Sequence, residues 1–306
     1  MKRRTWVLLV ALAAIWGGSF LLTSIAIRHL SVPVVALLRT GTGAAVLLPI
    51  ALARGALSGV RGQLGAMFLL GVVQLAGPFT LLGLGQRSVP SGLAGILVAS
   101  TPLWTALLAV WIDHEERSRG WGLAGVGIGM LGVVLLCGVQ LSGSLHTLLG
   151  AVMLLLAALG YAAGGFLAKR RVRGMATLGA VTGAMLAGTV ALAPAALLTL
   201  PSWPPDRGAL AAAVVLGGVS GGLGWLLYYT ILADSGPAKA AIATYLVPGF
   251  AVVYGAVLLD EPLTAAAIAG LALVVGGSWL AGRAGAEERP ARAPGPARRA
   301  GRAIRP

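Results

Sequence analysis

Residues 5–27 read TWVLLVALAAIWGGSFLLTSIAI, an apolar run that contains no charged side chain. A helix of about 20 apolar residues is long enough to cross the hydrocarbon core of a bilayer. The run follows the basic start Met1-Lys2-Arg3-Arg4, as the core of a signal peptide does. It continues to Ile27 without an A-x-A cleavage site before polar sequence, so it predicts an uncleaved first transmembrane helix.

Runs of this kind recur through the whole chain of 306 residues, of which 58% are hydrophobic and only 10% are charged. A soluble domain carries about 25% charged residues, and this chain cannot furnish a polar exterior of that kind. The sequence therefore predicts an all-α integral membrane protein with ten transmembrane helices. The predicted spans are Thr5–Ile27, Val34–Ala53, Leu64–Leu84, Ser91–Ile112, Gly120–Cys137, Leu148–Ala168, Met175–Leu200, Ala209–Leu232, Pro237–Leu259 and Leu263–Ala281.

The formal net charge of +14 reflects membrane topology rather than nucleic-acid binding, because of where the cations lie. With ten spans and a cytoplasmic N-terminus, most Lys and Arg residues fall in cytoplasmic segments, and only Arg28, Arg87 and Arg207 fall in outside loops. This asymmetry predicts a multi-pass protein of the cell membrane with both termini in the cytoplasm. Residues 283–306 are rich in Arg, Ala, Pro and Gly, and they predict a disordered, basic cytoplasmic tail that contacts anionic lipid.

The first half of the chain is repeated in the second half. Pro102, in the sequence VASTPLW, precedes an apolar half-span and an acidic end at Glu115, and Pro248, in TYLVPGF, precedes a similar half-span that ends at Glu261. Both pairs are 146 residues apart. Further pairs, 145 residues apart, are Gly125 with Gly270, Gly132 with Gly277 and Trp16 with Tyr161. Residues 5–138 and 147–282 are therefore predicted to be two copies of one five-helix repeat.

Five is an odd number of crossings, so the second copy enters the membrane from the opposite side. The sequence thus predicts an inverted-topology repeat. Such pseudo-symmetry is typical of secondary transporters, because one packing arrangement then serves two states that open to opposite sides.

These features together resemble the EamA-type drug/metabolite transporter superfamily. Trp16-Gly17-Gly18-Ser19-Phe20 is similar to the W-G-x-x-F opening of that superfamily, and Pro33 with Leu38-Arg39 is similar to its second-span pattern. The two proline-to-glutamate blocks resemble its fourth and ninth spans. The resemblance implies a ten-helix carrier of small molecules, often an exporter, whose glycine-rich fifth and tenth spans act as a packing scaffold. In the second copy, Tyr161-Ala162-Ala163 stands where the superfamily usually has a Trp-Ala pair.

Eight polar or aromatic residues within the spans are candidates for substrate binding. Arg39 is the only ionisable residue well inside a span, where it is costly. It either anchors an anionic substrate group or gates the path, or it bonds carbonyls exposed near a broken helix. The others suit an amphipathic or cationic solute, although each aromatic ring also suits the membrane interface. The set is Trp16, Ser19, Arg39, Gln74, Ser100, Trp104, Tyr228 and Tyr245.

Three prolines within spans are candidates for hinges. Proline removes one helix hydrogen bond and clashes with the preceding turn. Pro78, Pro102 and Pro248 are therefore expected to bend their helices and expose carbonyls to a central cavity, or to serve only as packing bends.

Two glutamates at span ends are expected to act as helix caps. Glu115 ends the fourth span, and Glu261-Pro262 marks the start of the tenth helix. A carboxylate at such a position caps free N–H groups and meets the positive end of the helix dipole. Direct substrate contact is the alternative.

Enzyme and metal chemistry are not expected. Gly127–Gly132 spells G-x-G-x-x-G, but it lies within an apolar span with no strand before it. One cysteine and three dispersed histidines cannot form a metal site. No cofactor is predicted.

We therefore expect a secondary transporter of small organic metabolites, such as amino acids, that works by alternating access and favours export. Its expected partners are a small-molecule substrate and membrane lipid, without nucleic acid, and a homodimer is left open. The alternatives are efflux of cationic drugs or other amphipaths, a passive channel, and an intramembrane lipid-handling protein or enzyme. The last would need paired polar groups at one membrane depth, which the spans lack.

Overall fold

A computed structural model describes residues 3–112, 120–141, 144–172, 174–201 and 204–287, and within these ranges the regular structure is entirely helical. The principal helices are α1 (Arg3–Ala26), α2 (Val32–Ala53), α3 (Arg61–Gly85), α4 (Ser91–Ile112), α5 (Trp121–Leu141), α6 (Leu145–Arg171), α7 (Thr177–Leu197), α8 (Arg207–Ser235), α9 (Ile242–Leu258) and α10 (Ala265–Glu287). A single turn, Pro237–Ala240, precedes α9.

In the described part of the chain, eight helices are long and apolar enough to cross a membrane. Two shorter apolar helices, Ile242–Leu258 and Ala265–Ala281, complete the set. These helices lie where the sequence predicts its ten spans, and they make the chain a multi-pass helical membrane protein.

Local capping explains where some helices begin and end. Ser144 accepts a hydrogen bond from the Thr147 backbone at the start of α6, and Asp206 accepts one from Ala209 at the start of α8. Helix α10 continues to Glu287, which places residues 283–287 in a helix rather than in the predicted tail. No proline occurs between Pro262 and Pro290, so none interrupts this helix. Residues 288–306 lie outside the described part.

Helices α3 and α8 each contain a π-helical segment, in which the backbone hydrogen bonds skip one extra residue. The segments are Gly71–Ala76 and Leu216–Leu223, so they begin 145 residues apart. Glycine lets another backbone approach each of them. A Cβ atom on Gly71 would lie 2.6 Å from the Ala184 carbonyl oxygen of α7, and one on Gly43 of α2 would lie 3.2 Å from the Gly217 carbonyl oxygen.

Each helix of the first half corresponds to the helix five positions later in the second half. When a helix pair is replaced by its corresponding helices, the resulting pair is also in contact. α2 packs against the π-helical part of α8, and α7 packs against that of α3. α1 packs against α9, and α6 packs against α4. The closest association joins α5 to α10, where a Cβ on Gly125 would lie 2.5 Å from the Ala281 nitrogen. This backbone contact agrees with the scaffold role that the resemblance implies.

Contacts between helix ends divide them into two sets. We call the set that includes the start of α1 the first face, and the set that includes the end of α1 the second face. Contacts within the first face are Arg4 with Asp234 at 3.3 Å, Thr5 with Ser235 at 3.3 Å, and Arg170 with the Ile112 carbonyl. Contacts within the second face are Ser31 with Thr199 at 2.9 Å and Ser88 with the His146 carbonyl at 2.9 Å. Each contact joins helix ends that lie on the same side when successive helices alternate in direction.

Candidate functional site

A cavity of about 240 Å³ lies between the second halves of α4 and α6. Its lining consists of Thr101, Thr105, Tyr161, Ala162, Gly165, Phe166 and Lys169. Helix α4 is interrupted at Ala99–Ser100, directly before Pro102, and the second segment begins at Thr101. This segment contacts α6 near the helix ends, where Arg170 donates to the Ile112 carbonyl.

The cavity has an apolar wall and a cationic mouth. The two threonine hydroxyls donate within their own helix, Thr101 to the Val98 carbonyl at 2.7 Å and Thr105 to the Thr101 carbonyl at 3.0 Å. Lys169 is exposed at the end of α6, and among the described residues of the lining it alone is charged. An apolar chamber with one cation at its entrance is suited to a small organic solute.

Behind the cavity wall lies a chain of three side chains that ends at Arg39. The Tyr161 ring contacts the Phe79 ring edge to face, with centroids 6.4 Å apart. The Arg39 guanidinium carbon lies 3.8 Å from the centroid of Phe79. The Arg39 Nε atom is buried, and no acceptor among the described residues reaches it. The carbonyl-bonding role is therefore not performed by Nε.

The cation–π contact with Phe79 does not fully offset the free-energy cost of placing the charge of Arg39 inside a membrane span. A cation near the membrane centre costs about 2.5–3.5 kcal/mol on insertion scales. A cation–π contact returns about 0.5–2 kcal/mol. The described part of the chain has acids at helix termini or in loops, namely Asp206, Asp234, Asp260 and Glu261. These four do not lie at the level of Arg39.

A second aromatic group joins α1 to α8. Trp16 lies 5.8 Å from Trp225 and 5.7 Å from Tyr228, measured between ring centroids, and Tyr229 lies 5.7 Å from Trp225. The Trp16 indole donates to the carbonyl of Ser220, within the π-helical segment of α8, at 3.2 Å. Two predicted residues, Trp16 and Tyr228, thus come together, and Trp225 joins them. Its spacing of three residues before Tyr228 places both on one helix face, a signal that the sequence already contained.

Several predicted substrate residues serve local structure instead. Ser19 and Ser100 are buried, and their hydroxyls donate to the carbonyls of Trp16 and Leu97, each at 2.6 Å. The Tyr245 hydroxyl donates to the Ser278 carbonyl of α10 at 3.3 Å. Short polar side chains satisfy backbone acceptors in a membrane because no water is present to do so.

Gln74 and Trp104 are not among the described residues of the cavity lining. Gln74 packs closely on α6, because a Cβ atom on Gly164 would lie 2.5 Å from the Cβ atom of Gln74. The Trp104 Nε1 atom is buried, and the described residues offer it no acceptor.

The three candidate hinges differ from one another. Pro102 follows a true interruption of α4, and Pro78 lies at the junction between the π-helical segment and the last α-helical segment of α3. Pro248 lies inside a continuous α9, so the helix is not interrupted there as α4 is before Pro102. The interruption near α9 falls at Ala241, before the helix starts.

Glu261 is a helix cap, but it caps α4 and not α10. Its carboxylate accepts from the backbone nitrogens of Ser91 at 2.6 Å and Gly92 at 2.9 Å. The cap of α10 is Thr264, which accepts from Ala267 at 3.1 Å. The backbone of Asp260 has φ 54°, and this tight turn directs Glu261 back towards α4. The other predicted cap, Glu115, lies outside the described residues.

The family model of EamA-like transporters matches this chain twice, over residues 4–138 and 148–283. The chain belongs to the EamA-like transporter family. An uncharacterized transporter of Archaeoglobus fulgidus is 25% identical over 90% of this chain and 98% of that protein. The uncharacterized inner membrane transporter YedA of Escherichia coli K12 is 29% identical over 84% of this chain and 83% of its own length.

A third relative of this EamA-like protein is the uncharacterized transporter YvbV of Bacillus subtilis, with 23% identity over 90% of each chain. One solved crystal structure has the same fold, with a TM-score of 0.62 and 22% identity, over 92% of this chain and 98% of that one. The relatives are named as transporters, which are not enzymes. Membership therefore assigns the chain to membrane transport, in agreement with the resemblance read from its motifs.

Proposed function

We propose that this EamA-like protein is a secondary transporter of small organic metabolites, such as amino acids, and that it works by alternating access. Two inverted five-helix repeats, each crossing the membrane five times, surround the substrate path. Both termini are cytoplasmic, and export is the favoured direction.

The observation that carries this proposal is a difference between two equivalent interfaces. Ala162 of α6 lines the cavity beside α4. Its equivalent 145 residues earlier, Gly17 of α1, is packed against α9, where a Cβ on Gly17 would lie 2.5 Å from that of Phe250. One interface is open towards the first face while its partner is closed towards the second face. An inverted repeat exchanges these two conditions to open on the opposite side.

Three further observations support the inverted repeat. The π-helical segments of α3 and α8 recur at the spacing of the sequence repeat. The helix pairs are reciprocal, and the family model matches each half separately. The positive-inside rule assigns the first face to the cytoplasm. The cavity then opens inwards, where a substrate for export is collected.

The test is counterflow of labelled amino acids, sugars and cationic dyes in liposomes that contain the purified protein. A carrier gives saturable uptake that is accelerated by unlabelled substrate on the other side. Flux that rises linearly with concentration would identify a channel. Absence of saturable uptake for every solute, with folded protein in the vesicles, would contradict the proposal.

Cross-linking tests the mechanism itself. In a Cys137→Ser background, Gly18→Cys and Tyr254→Cys place thiols across the closed α1–α9 interface, because Gly18 contacts the Tyr254 ring. A bifunctional thiol reagent should stop counterflow, and a reductant that cleaves it should restore the rate. The matched control joins α5 to α10 through Leu136→Cys and Gly270→Cys. That cross-link should leave counterflow intact, because the scaffold pair is not expected to separate.

A further inference from the structure

Arg39 has the properties of a binding group, because part of its hydrogen-bonding capacity is unused within the described residues. Its guanidinium stacks on Phe79, and its buried Nε atom has no acceptor among the described residues. The one ion pair within those residues joins Arg4 to Asp234 at the first face. A guanidinium carries five N–H donors, and the face of an aromatic ring is not a conventional hydrogen-bond acceptor for the buried Nε–H. An anion placed beside Phe79 would do so.

The route to Arg39 starts at the cavity. Tyr161 lines the cavity on one side and contacts Phe79 on the other, so two aromatic rings separate the open chamber from the guanidinium. Rings on long side chains can rotate aside, whereas the glycine-packed backbones around them cannot. Tyr161 and Phe79 therefore form a gate between the cavity and Arg39.

The charged residues described along this route are cations. Lys169 is at the mouth and Arg39 is at the inner end, and the described residues of the lining include no acid. A cleft with low-dielectric walls and charges of one sign concentrates the opposite ion. Cationic solutes are repelled at both ends, which argues against efflux of cationic drugs through this path.

The size and polarity of the wall narrow the anion further. Ala162, Phe166 and Tyr161 offer apolar and aromatic surface, with Phe79 directly behind Tyr161. The two threonine hydroxyls already donate to their own helix. Such a wall suits an organic body rather than a hydrated inorganic ion. One guanidinium matches one planar carboxylate with two parallel hydrogen bonds.

We propose that the transported solute is an organic carboxylate, whose anionic group binds Arg39 while its apolar body contacts Phe79 and Tyr161. Lys169 attracts the solute at the cytoplasmic entrance. This assignment rests on the proposed transport function and specifies the chemistry of its substrate site.

The test compares each carboxylate with its neutral amide, which has nearly the same shape. The purified protein in neutral phosphatidylcholine vesicles is assayed for binding and counterflow of phenylacetate against phenylacetamide, and of hexanoate against hexanamide. The carboxylates should bind and exchange, and the amides should not. Arg39→Gln should weaken carboxylate binding by about 10–100-fold, the size expected for loss of a charge-assisted pair. Arg39→Lys should retain part of it.

The control variant is Arg87→Gln, which removes an exposed arginine at the second face. It should leave binding unchanged. A folded Arg39→Gln protein, verified by its thermal transition, that binds carboxylates as the parent does would overturn the assignment. If cationic dyes show saturable counterflow while no carboxylate does, the substrate class is wrong and the transport function stands. If no solute of any charge exchanges, the transport function itself fails.

A lipid headgroup offers the same anionic chemistry as a solute, and the vesicle composition separates the two sources. The binding assay is repeated with phosphatidylglycerol added to the phosphatidylcholine. Unchanged carboxylate binding supports a solute site. Loss of all carboxylate binding in neutral vesicles, together with an Arg39-dependent stabilisation by phosphatidylglycerol, would assign the site to lipid and overturn the proposal.

Discussion

The carboxylate of Glu261 accepts a hydrogen bond from the backbone nitrogen of Ser91 at a distance of 2.6 Å. The two residues are 170 positions apart and belong to different halves of the chain. A second bond to Gly92, at 2.9 Å, places the carboxylate directly over the first turn of α4. The contact ties the α9–α10 loop to α4 at the second face, and the negative carboxylate meets the positive end of the α4 dipole.

Replacing Glu261 by Gln should destabilise the protein by about 1–2 kcal/mol, because the neutral amide loses the favourable interaction with the helix N-terminus. The thermal unfolding temperature in detergent micelles measures this effect. Asp260→Asn is the matched control, since Asp260 is exposed and Asn also tolerates a positive φ. Equal thermal transitions for the two variants would contradict the capping role.

Replacing Gly277 by Val should destabilise the α5–α10 pair by about 1–3 kcal/mol, the usual cost of overpacking. A Cβ at this position would lie 2.6 Å from the Gly125 carbonyl oxygen. The neighbouring Gly276 faces open space, so Gly276→Val provides a control of equal chemistry. Thermal unfolding compares them, and a control that is as unstable as Gly277→Val would refute the specific contact.

Single cysteines should report the orientation of the two faces in intact cells. In a Cys137→Ser background, His29→Cys lies in the α1–α2 loop and Ser58→Cys in the α2–α3 loop, and both positions are exposed. A membrane-impermeant maleimide should label His29→Cys without lysis and Ser58→Cys only after lysis. The reverse pattern would place the termini outside and would make the cavity open outwards.

Replacing Pro102 by Ala should slow counterflow several-fold. The new N–H can bond the Val98 carbonyl, which would make α4 continuous and move its second half towards α6. Thiol labelling of Thr105→Cys in the cavity should slow in parallel. Pro248→Ala is the comparison, because α9 is already continuous through that residue. It should affect both measurements less, and an equal or larger effect would argue against Pro102 as the hinge of this state.

The apolar runs predicted the helices well because a membrane helix satisfies its own backbone. The break before Pro102 also followed from local chemistry. The π-helical segments did not, since nothing in GVVQLA or LGGVSGGL marks a skipped hydrogen bond. Their geometry reflects the close approach of α7 and α2, which only the assembled bundle defines.

The candidate site was predicted in part. Arg39 stood out because an ionisable residue inside a span is rare. Phe79 and Tyr161 did not stand out as its neighbours, because the three residues belong to three separate helices. The partner of Glu261 was missed for the same reason. The charge at a span end indicated a helix cap, and the following Pro262 favoured α10 as the capped helix. The left-handed turn at Asp260, which brings Glu261 to α4 instead, was not apparent from the sequence.

Among its described residues the cavity lining carries a cation and no carboxylate, and this has a consequence for how export of the proposed carboxylate would be driven. In a cell whose interior is electrically negative, one elementary charge crossing 100 mV gains about 2.3 kcal/mol. A monoanion that leaves such a cell moves down that gradient, and a factor of roughly 50 in concentration follows at equilibrium. Export of the proposed carboxylate would then need no accompanying proton. We expect that collapsing the voltage with valinomycin and potassium slows export, and that collapsing the pH gradient alone does not.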